Sequence, residues 1–266
     1  MSGNLAEAFA RAGRQRRVAF VPYVMAGDPD LGTTEAILEA LTQAGAAAIE
    51  LGVPYSDPLA DGPTVASAGA RALANETRLA DVLEIVRRRA GDCAPLLLFS
   101  YFNPVYQFGI ARFAHDLALA GAAGAIVPDL ALEESAELRG TLHASALEMP
   151  LLVAPSTTCE RAVRIAEASS GFIYVVSRLG VTGAARSPDF APLHAQLLVL
   201  REVTKKPLAV GFGLSRPEEV REIAAFADGV VVGSALIDAY AGTRGMEAAQ
   251  RVRQFVEPLI AAAVKT

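Results

Sequence analysis

Tryptophan is absent from these 266 residues, histidine occurs three times and cysteine twice. Cys93 and Cys159 stand far apart, with neither metal nor redox spacing, so they read as buried or inert thiols in a reducing compartment. His115, His143 and His194 fall in separate helical segments with no second ligand at helical spacing, so no metal centre is expected. No apolar run approaches the ~20 residues that a membrane span needs. The opening stretch, MSGNLAEAFARAGRQRR, patterns as an amphipathic helix without the apolar centre or cleavage site of a secretion signal, so a cytoplasmic protein is expected. Positive charge is also in short supply: 24 Lys and Arg face 29 Asp and Glu, for a net charge of −5. No basic patch is dense enough to suggest nucleic acid, and RQRR at 14–17 is too short and isolated.

What is abundant is aliphatic. Hydrophobic residues make up 52% of the chain, mostly Ala, Leu and Val, which suits a packed α/β core and argues against disorder. Eight short apolar runs, at 18–24, 47–52, 95–100, 124–129, 150–155, 172–177, 207–213 and 228–234, are continuous rather than alternating. Parallel strands covered on both faces have that pattern. Helical windows lie between them at 30–44, 63–90 (two helices), 109–121, 132–146, 159–169, 190–202, 215–226 and 235–264, with Ser215 as the expected N-cap ahead of Pro217. Eight strands, each followed by a helix, predict a (β/α)8 TIM barrel, a parallel eight-stranded barrel with an extra N-terminal helix. A doubly wound open sheet is the rival, but it usually has fewer strands and carries its ligand signature after the first one. No linker composition interrupts the pattern, so residues 1–266 read as a single barrel domain.

The stretch IELGVPYSDPLADGPTV (49–65) ends a strand on a carboxylate. In a barrel, Glu50 lies at the C-terminal end of strand 2, where such enzymes place their chemistry. A largely desolvated Glu has a raised pKa and can give and take a proton. Asp61 follows in a loop stiffened by Pro54, Pro58 and Pro63 that can fold back over the mouth, so the two carboxylates can divide acid and base roles. The plainer alternative is that Glu50 caps a helix or pairs with a Lys and that Asp57 and Asp61 are turn formers, a reading that fits Asp57 well. Late glycines weigh in favour of a site. Gly211-Phe212-Gly213 ends strand 7 and Gly233-Ser234 ends strand 8, the two loops that commonly hold a phosphate in barrels, the alternative being that these glycines merely permit tight corners. The 177–190 loop is longer than the usual ~2–6 residues of a βα connection and reads as a lid, with plain surface disorder as the alternative. Tyr174 either points a hydroxyl into the mouth or packs there.

Taken together and in order, IELGVPYSDPLADGP, YFNPVYQFG, IVPDLALEES, SRLGVTGA and GFGLS…VVVGSA resemble the tryptophan synthase α subunit family over nearly the whole chain. The resemblance implies a (β/α)8 barrel that splits indole-3-glycerol phosphate into indole and glyceraldehyde 3-phosphate. Glu50 would be the acid–base residue and Asp61 its partner. Gly183, Gly213, Gly233 and Ser234 would hold the phosphate, with Gly211 and Phe212 in the same turn. Tyr174 would lie beside Glu50, Thr182 would close on Asp61, Phe20 would line the indole pocket, and Tyr101 and Asp129 would lie near its rim. No cofactor or metal is implied in this chain; pyridoxal phosphate belongs to the β subunit, the partner expected in an α2β2 heterotetramer. One departure is Asp129-Leu130-Ala131, where many relatives read Asp-Leu-Pro on a partner-facing loop. A free-standing lyase and a mainly regulatory phosphate-binding subunit are the alternatives.

Overall fold

The computed structural model describes residues 5–177, 190–211 and 213–265. The apolar runs form strands of three to seven residues: β1 Ala19–Met25, β2 Ile49–Gly52, β3 Leu96–Phe99, β4 Gly124–Ile126, β5 Leu151–Val153, β6 Ile173–Val176, β7 Leu208–Gly211 and β8 Gly229–Val232. All seven residues of β1 are buried, as a strand covered on both faces requires. The helices are α1 Leu5–Arg14, α2 Leu31–Ala44, α3 Pro63–Ala74, α4 Leu79–Arg89, α5 Phe102–Phe108 and α6 Ile110–Ala120, then α7 Ala136–Ala144, α8 Cys159–Ala168, α9 Ala191–Val203, α10 Pro217–Ala224, α11 Ser234–Tyr240 and α12 Gly245–Ala262.

Every strand pair is parallel, and the order is β4-β3-β2-β1-β8-β7-β6-β5. The two ends of that sheet meet through a parallel bridge between Gly124 and Glu148, just ahead of β5. Ala125 N donates to the Glu148 carbonyl at 3.0 Å, and Glu148 N donates to the Ala123 carbonyl at 3.0 Å. A Cβ on Gly124 would sit 1.8 Å from that Glu148 oxygen, so only glycine lets the backbones close the ring. The result is the expected eight-stranded barrel.

The helix ends follow local chemistry. Asp30 caps α2 by accepting from Thr33 N at 2.7 Å, and Gly45 closes it in the left-handed region at φ 99°. Ser215 is not the cap of α10. Arg216 holds that position, and the carboxylate of Glu219 reaches back to accept from Ser215 N at 2.9 Å and Arg216 N at 3.1 Å. α5 lies where no separate helix was expected, and the last window splits into α11 and α12 at Gly242, whose φ is 75°. Cys159 is exposed at the first position of α8 and Cys93 is half-buried, so only partial shielding of the thiols is found.

α1 covers the N-terminal end of the barrel. Phe9 stacks on Phe172 at 5.1 Å, and a Cβ on Gly229 would lie 2.7 Å from the Phe9 ring. Leu5 N donates to the Glu148 side chain at 2.8 Å, tying the plug to the strand that closes the ring. At the C-terminal end the described residues form a pocket, and there the site lies.

Candidate active site

Glu50 is the second residue of β2, in register with Tyr23 on β1 and Leu97 on β3. Residues in register on parallel strands face the same side, so Glu50 and Tyr23 both point into the barrel. Glu50 is 1% exposed. Burial pushes its carboxyl well above the usual carboxylate range, and among the described residues its Oε1 has no hydrogen-bond partner. A carboxyl whose pKa is raised by burial holds its proton to higher pH than an ordinary carboxylate, which suits it to act as a general acid.

The pocket at the mouth is lined by Glu50, Asp61, Tyr174, Gly213, Gly233 and Ser234, together with apolar Val65, Phe99 and Val231 and the ring of Tyr23. Two aromatic residues are set against glycines. A Cβ on Gly52 would lie 2.1 Å from the Tyr23 hydroxyl, and a Cβ on Gly211 would lie 2.3 Å from the Tyr174 hydroxyl. In each case the glycine sits two residues past the position paired with the tyrosine on the neighbouring strand: Tyr23 pairs with Glu50, and Tyr174 with Ala209. Gly211 thus makes room for the ring and is not itself part of the lining. Tyr23 also packs edge-on against Phe99, with ring centroids 5.5 Å apart.

Asp61 lies between β2 and α3, just before Gly62 and Pro63 start the helix. It is half-buried, and burial pushes its carboxyl up to about 6, against a hydrogen bond with Tyr101 that pulls it down. The sequence predicts an ionised Asp61 in a more polar loop; at this value it is mostly ionised at pH 7 but loses its charge below pH 6. Tyr101 holds the loop from behind, accepting from Ala60 N at 2.9 Å, and its ring tilts over Tyr55 at 5.3 Å. Tyr101 is therefore behind Asp61 and outside the lining of the pocket.

Two expected residues lie elsewhere. Asp129 is exposed on the loop after β4, where its Oδ1 accepts from Phe102 N at 2.9 Å and pins the start of α5. Phe20 lines a separate cavity at the N-terminal end with Arg17, Ala47 and Pro95. It is three residues deeper in β1 than Tyr23, on the opposite face of the strand, so Tyr23 takes the place in the mouth expected of Phe20. Strand parity with Glu50 is the signal that finds Tyr23, Phe99 and Val231. Thr182, Gly183 and Phe212 lie outside the described residues, as does most of the expected lid. Among the described residues no group of three or more His, Cys, Asp or Glu side chains is arranged to hold a metal ion, and no helix is long and apolar enough to cross a membrane.

The chain matches the family profile of the tryptophan synthase alpha chain over residues 9–264. A tryptophan synthase alpha chain from Gloeobacter violaceus is 45% identical over 259 residues, covering 97% of this chain and 94% of its own. The alpha chain of Arabidopsis thaliana is 44% identical over 236 residues, covering 88% and 86%. A chain of Mycobacterium tuberculosis tryptophan synthase superposes with a TM-score of 0.91 at 36% identity, covering 100% of both chains. The alpha subunit from Legionella pneumophila superposes with a TM-score of 0.86 at 32% identity, covering 98% of each. With the motifs, the barrel and these matches in agreement over nearly its full length, the chain belongs to the tryptophan synthase alpha chain family.

Proposed function

We propose that Glu50 and Asp61 are the acid–base pair with which this tryptophan synthase alpha chain cleaves indole-3-glycerol phosphate to indole and glyceraldehyde 3-phosphate. The observation that carries the assignment is a buried carboxyl without a hydrogen-bond partner among the described residues, sharing one pocket with a half-buried aspartate. The reaction is a retro-aldol cleavage. Its difficulty is that indole would have to leave as a carbanion. Glu50, whose protonated form is favoured by burial, protonates ring carbon 3 and turns the ring into an electron sink. Asp61 accepts the ring N–H as it becomes acidic, stabilising the charge that develops. The carbon–carbon bond then breaks and its electron pair returns to the ring. Glu50, now ionised, takes the proton of the glycerol hydroxyl beside that bond, and the aldehyde forms. Donor and acceptor are both regenerated once Asp61 has returned the ring proton, and the scheme uses no cofactor in this chain.

Phe99, Val65 and Val231 give the indole an apolar seat, and Tyr174 packs beside Glu50. Gly213, between β7 and α10, is assigned to the phosphate together with Gly233 and Ser234 at the opening of α11, where backbone N–H groups lack helical partners. Gly213 has φ 86° and open space around it, so its backbone conformation is what calls for glycine. Thr182, Gly183 and Phe212 keep the roles that the family resemblance implies.

The partner is assigned as a β subunit carrying pyridoxal phosphate, in an α2β2 assembly of this one-domain chain in the cytoplasm. Leu59, 88% exposed, and Tyr106, 62% exposed, support a docking rim at the mouth. Ala131 is exposed near that rim, where proline is the usual family residue.

Indole release from indole-3-glycerol phosphate tests the assignment, with the purified chain alone and with a β subunit added. Replacing Glu50 by Gln should lower the rate roughly 10²–10⁴-fold, the usual worth of a positioned general acid–base group. An unchanged rate would remove Glu50 from the chemistry. A rate unaffected by the β subunit would favour a free-standing lyase.

A further inference from the structure

The two ends of the pocket hang on two helices. α3 begins at Pro63, two residues after Asp61, and α11 begins at Ser234. Behind the pocket these helices are joined through Asp28, which lies on the loop after β1 and is 1% exposed. Its two carboxylate oxygens accept from Arg71 of α3, Nε at 2.7 Å and Nη2 at 2.8 Å. The hydroxyl of Tyr240, the last residue of α11, donates to the same carboxylate at 3.3 Å. Thr64 of α3 and Asp238 of α11 form a second, longer contact at 3.5 Å.

This cluster is built with little freedom. A buried carboxylate is strongly unfavourable unless paired, and the two-pronged guanidinium contact fixes direction as well as distance. Asp28 itself is held by its loop: Gly27 N donates to Thr34 Oγ1 at 3.0 Å, and a Cβ on Gly27 would lie 2.2 Å from Thr77 Oγ1. Neither Asp28 nor Arg71 lines the pocket, so the ion pair cannot act by touching substrate. What it can set is the distance between α3 and α11.

We propose that Arg71, clamped by Asp28 and Tyr240, is a positioning residue that fixes the spacing between the Asp61 carboxylate and the Gly233–Ser234 end of the site. The inference rests on the reading of that pocket given above. A substrate with an indole at one end and a phosphate at the other must reach both at once. An error near 1 Å in such a span costs up to ~10²-fold in rate. A ligand that occupies one end alone is insensitive to the spacing.

The test compares two ligands on the full chain. Indole-3-propanol phosphate spans the site and is not cleaved, whereas glyceraldehyde 3-phosphate fills only the phosphate end. Arg71→Lys keeps the charge but loses the fork, and should weaken the spanning ligand roughly tenfold while changing the short one less than about twofold. KM for indole-3-glycerol phosphate should rise in parallel. Tyr240→Phe leaves the ion pair in place and should show the same selectivity at about threefold, which keeps the test decisive if Arg71→Lys does not fold. A merely structural role would lower the active fraction and leave both dissociation constants unchanged. Unchanged constants in the variants, or equal losses for both ligands, would overturn the proposal. Absence of indole release by the wild-type chain would instead overturn the reading of the pocket, and this inference with it.

Discussion

The N-terminal end of this barrel and the pocket at its mouth handle their shielded carboxylates in opposite ways. At the N-terminal end the carboxylates of Asp228 and Glu148, both half-buried, are paired. The Asp228 carboxylate accepts from Leu208 N at 3.0 Å and Lys265 Nζ at 2.9 Å and pairs with Arg201. Arg17 donates to the Ile260 carbonyl, and Glu148 receives the first N–H of α1. At the C-terminal mouth Glu50 Oε1 is left without a hydrogen-bond partner among the described residues, and Asp61 is pushed up to about 6 by burial. An unsatisfied buried carboxyl destabilises a fold and is retained where it does chemistry. The comparison assigns stability to one end and reactivity to the other, and it can be broken from either side.

The largest effect is expected at the closed end. Phe9→Ala removes the ring stacked on Phe172 and should lower stability by about 3–5 kcal/mol, the usual range for a buried aromatic. Denaturant unfolding measures this, and indole release per folded molecule should fall much less. Phe172 in turn lies 6.2 Å from Tyr174, so a parallel loss of turnover would show that the plug reaches the mouth through that aromatic column.

A smaller effect is expected at the mouth from Gly211→Ala. The added Cβ would meet the Tyr174 hydroxyl at 2.3 Å, so the ring must move. Overpacking of this kind typically destabilises by about 1–3 kcal/mol. Here turnover should suffer more than stability, the reverse of Phe9→Ala. Equal behaviour of the two variants would erase the distinction between the ends.

The smallest effect is a pH limb. Below about pH 6 Asp61 takes up a proton and can no longer accept the ring N–H, so kcat/KM for indole release should fall as pH drops through that value. Asp61→Asn should be slower at neutral pH and should lose the limb. Persistence of the same limb in that variant would assign it to another group.

Much of this was legible in the sequence because the signals were local. A Glu ending an apolar run, and glycines closing the last two strands, mark the mouth of a barrel without any knowledge of packing. What escaped depends on neighbours distant in sequence. Asp61 is shifted first by burial and then, in the opposite sense, by Tyr101, which arrives on the next βα loop, so its state is invisible in the stretch around it. Phe20 and Tyr23 are both aromatic residues of one strand, and only the pairing of Tyr23 with Glu50 tells which faces the site. α5 falls outside the helical windows, and its Pro104 lies in the first turn of the helix, where its missing N–H is harmless. Glu219 displaced Ser215 as the group satisfying the start of α10, a competition between two good caps that spacing alone does not decide.

The most direct test of the account is the thermal stability of Glu50→Gln across pH, measured beside its indole release. Folding raises the Glu50 carboxyl above its ordinary value of 4.5, so the folded state holds the proton more tightly than the unfolded chain. The wild type therefore loses stability as pH rises above 4.5 towards the folded value, and the uncharged glutamine does not. The account predicts a variant that releases indole far more slowly and whose stability relative to wild type improves as pH rises. A variant whose relative stability falls or stays flat with rising pH, or one that still releases indole at the wild-type rate, would contradict it.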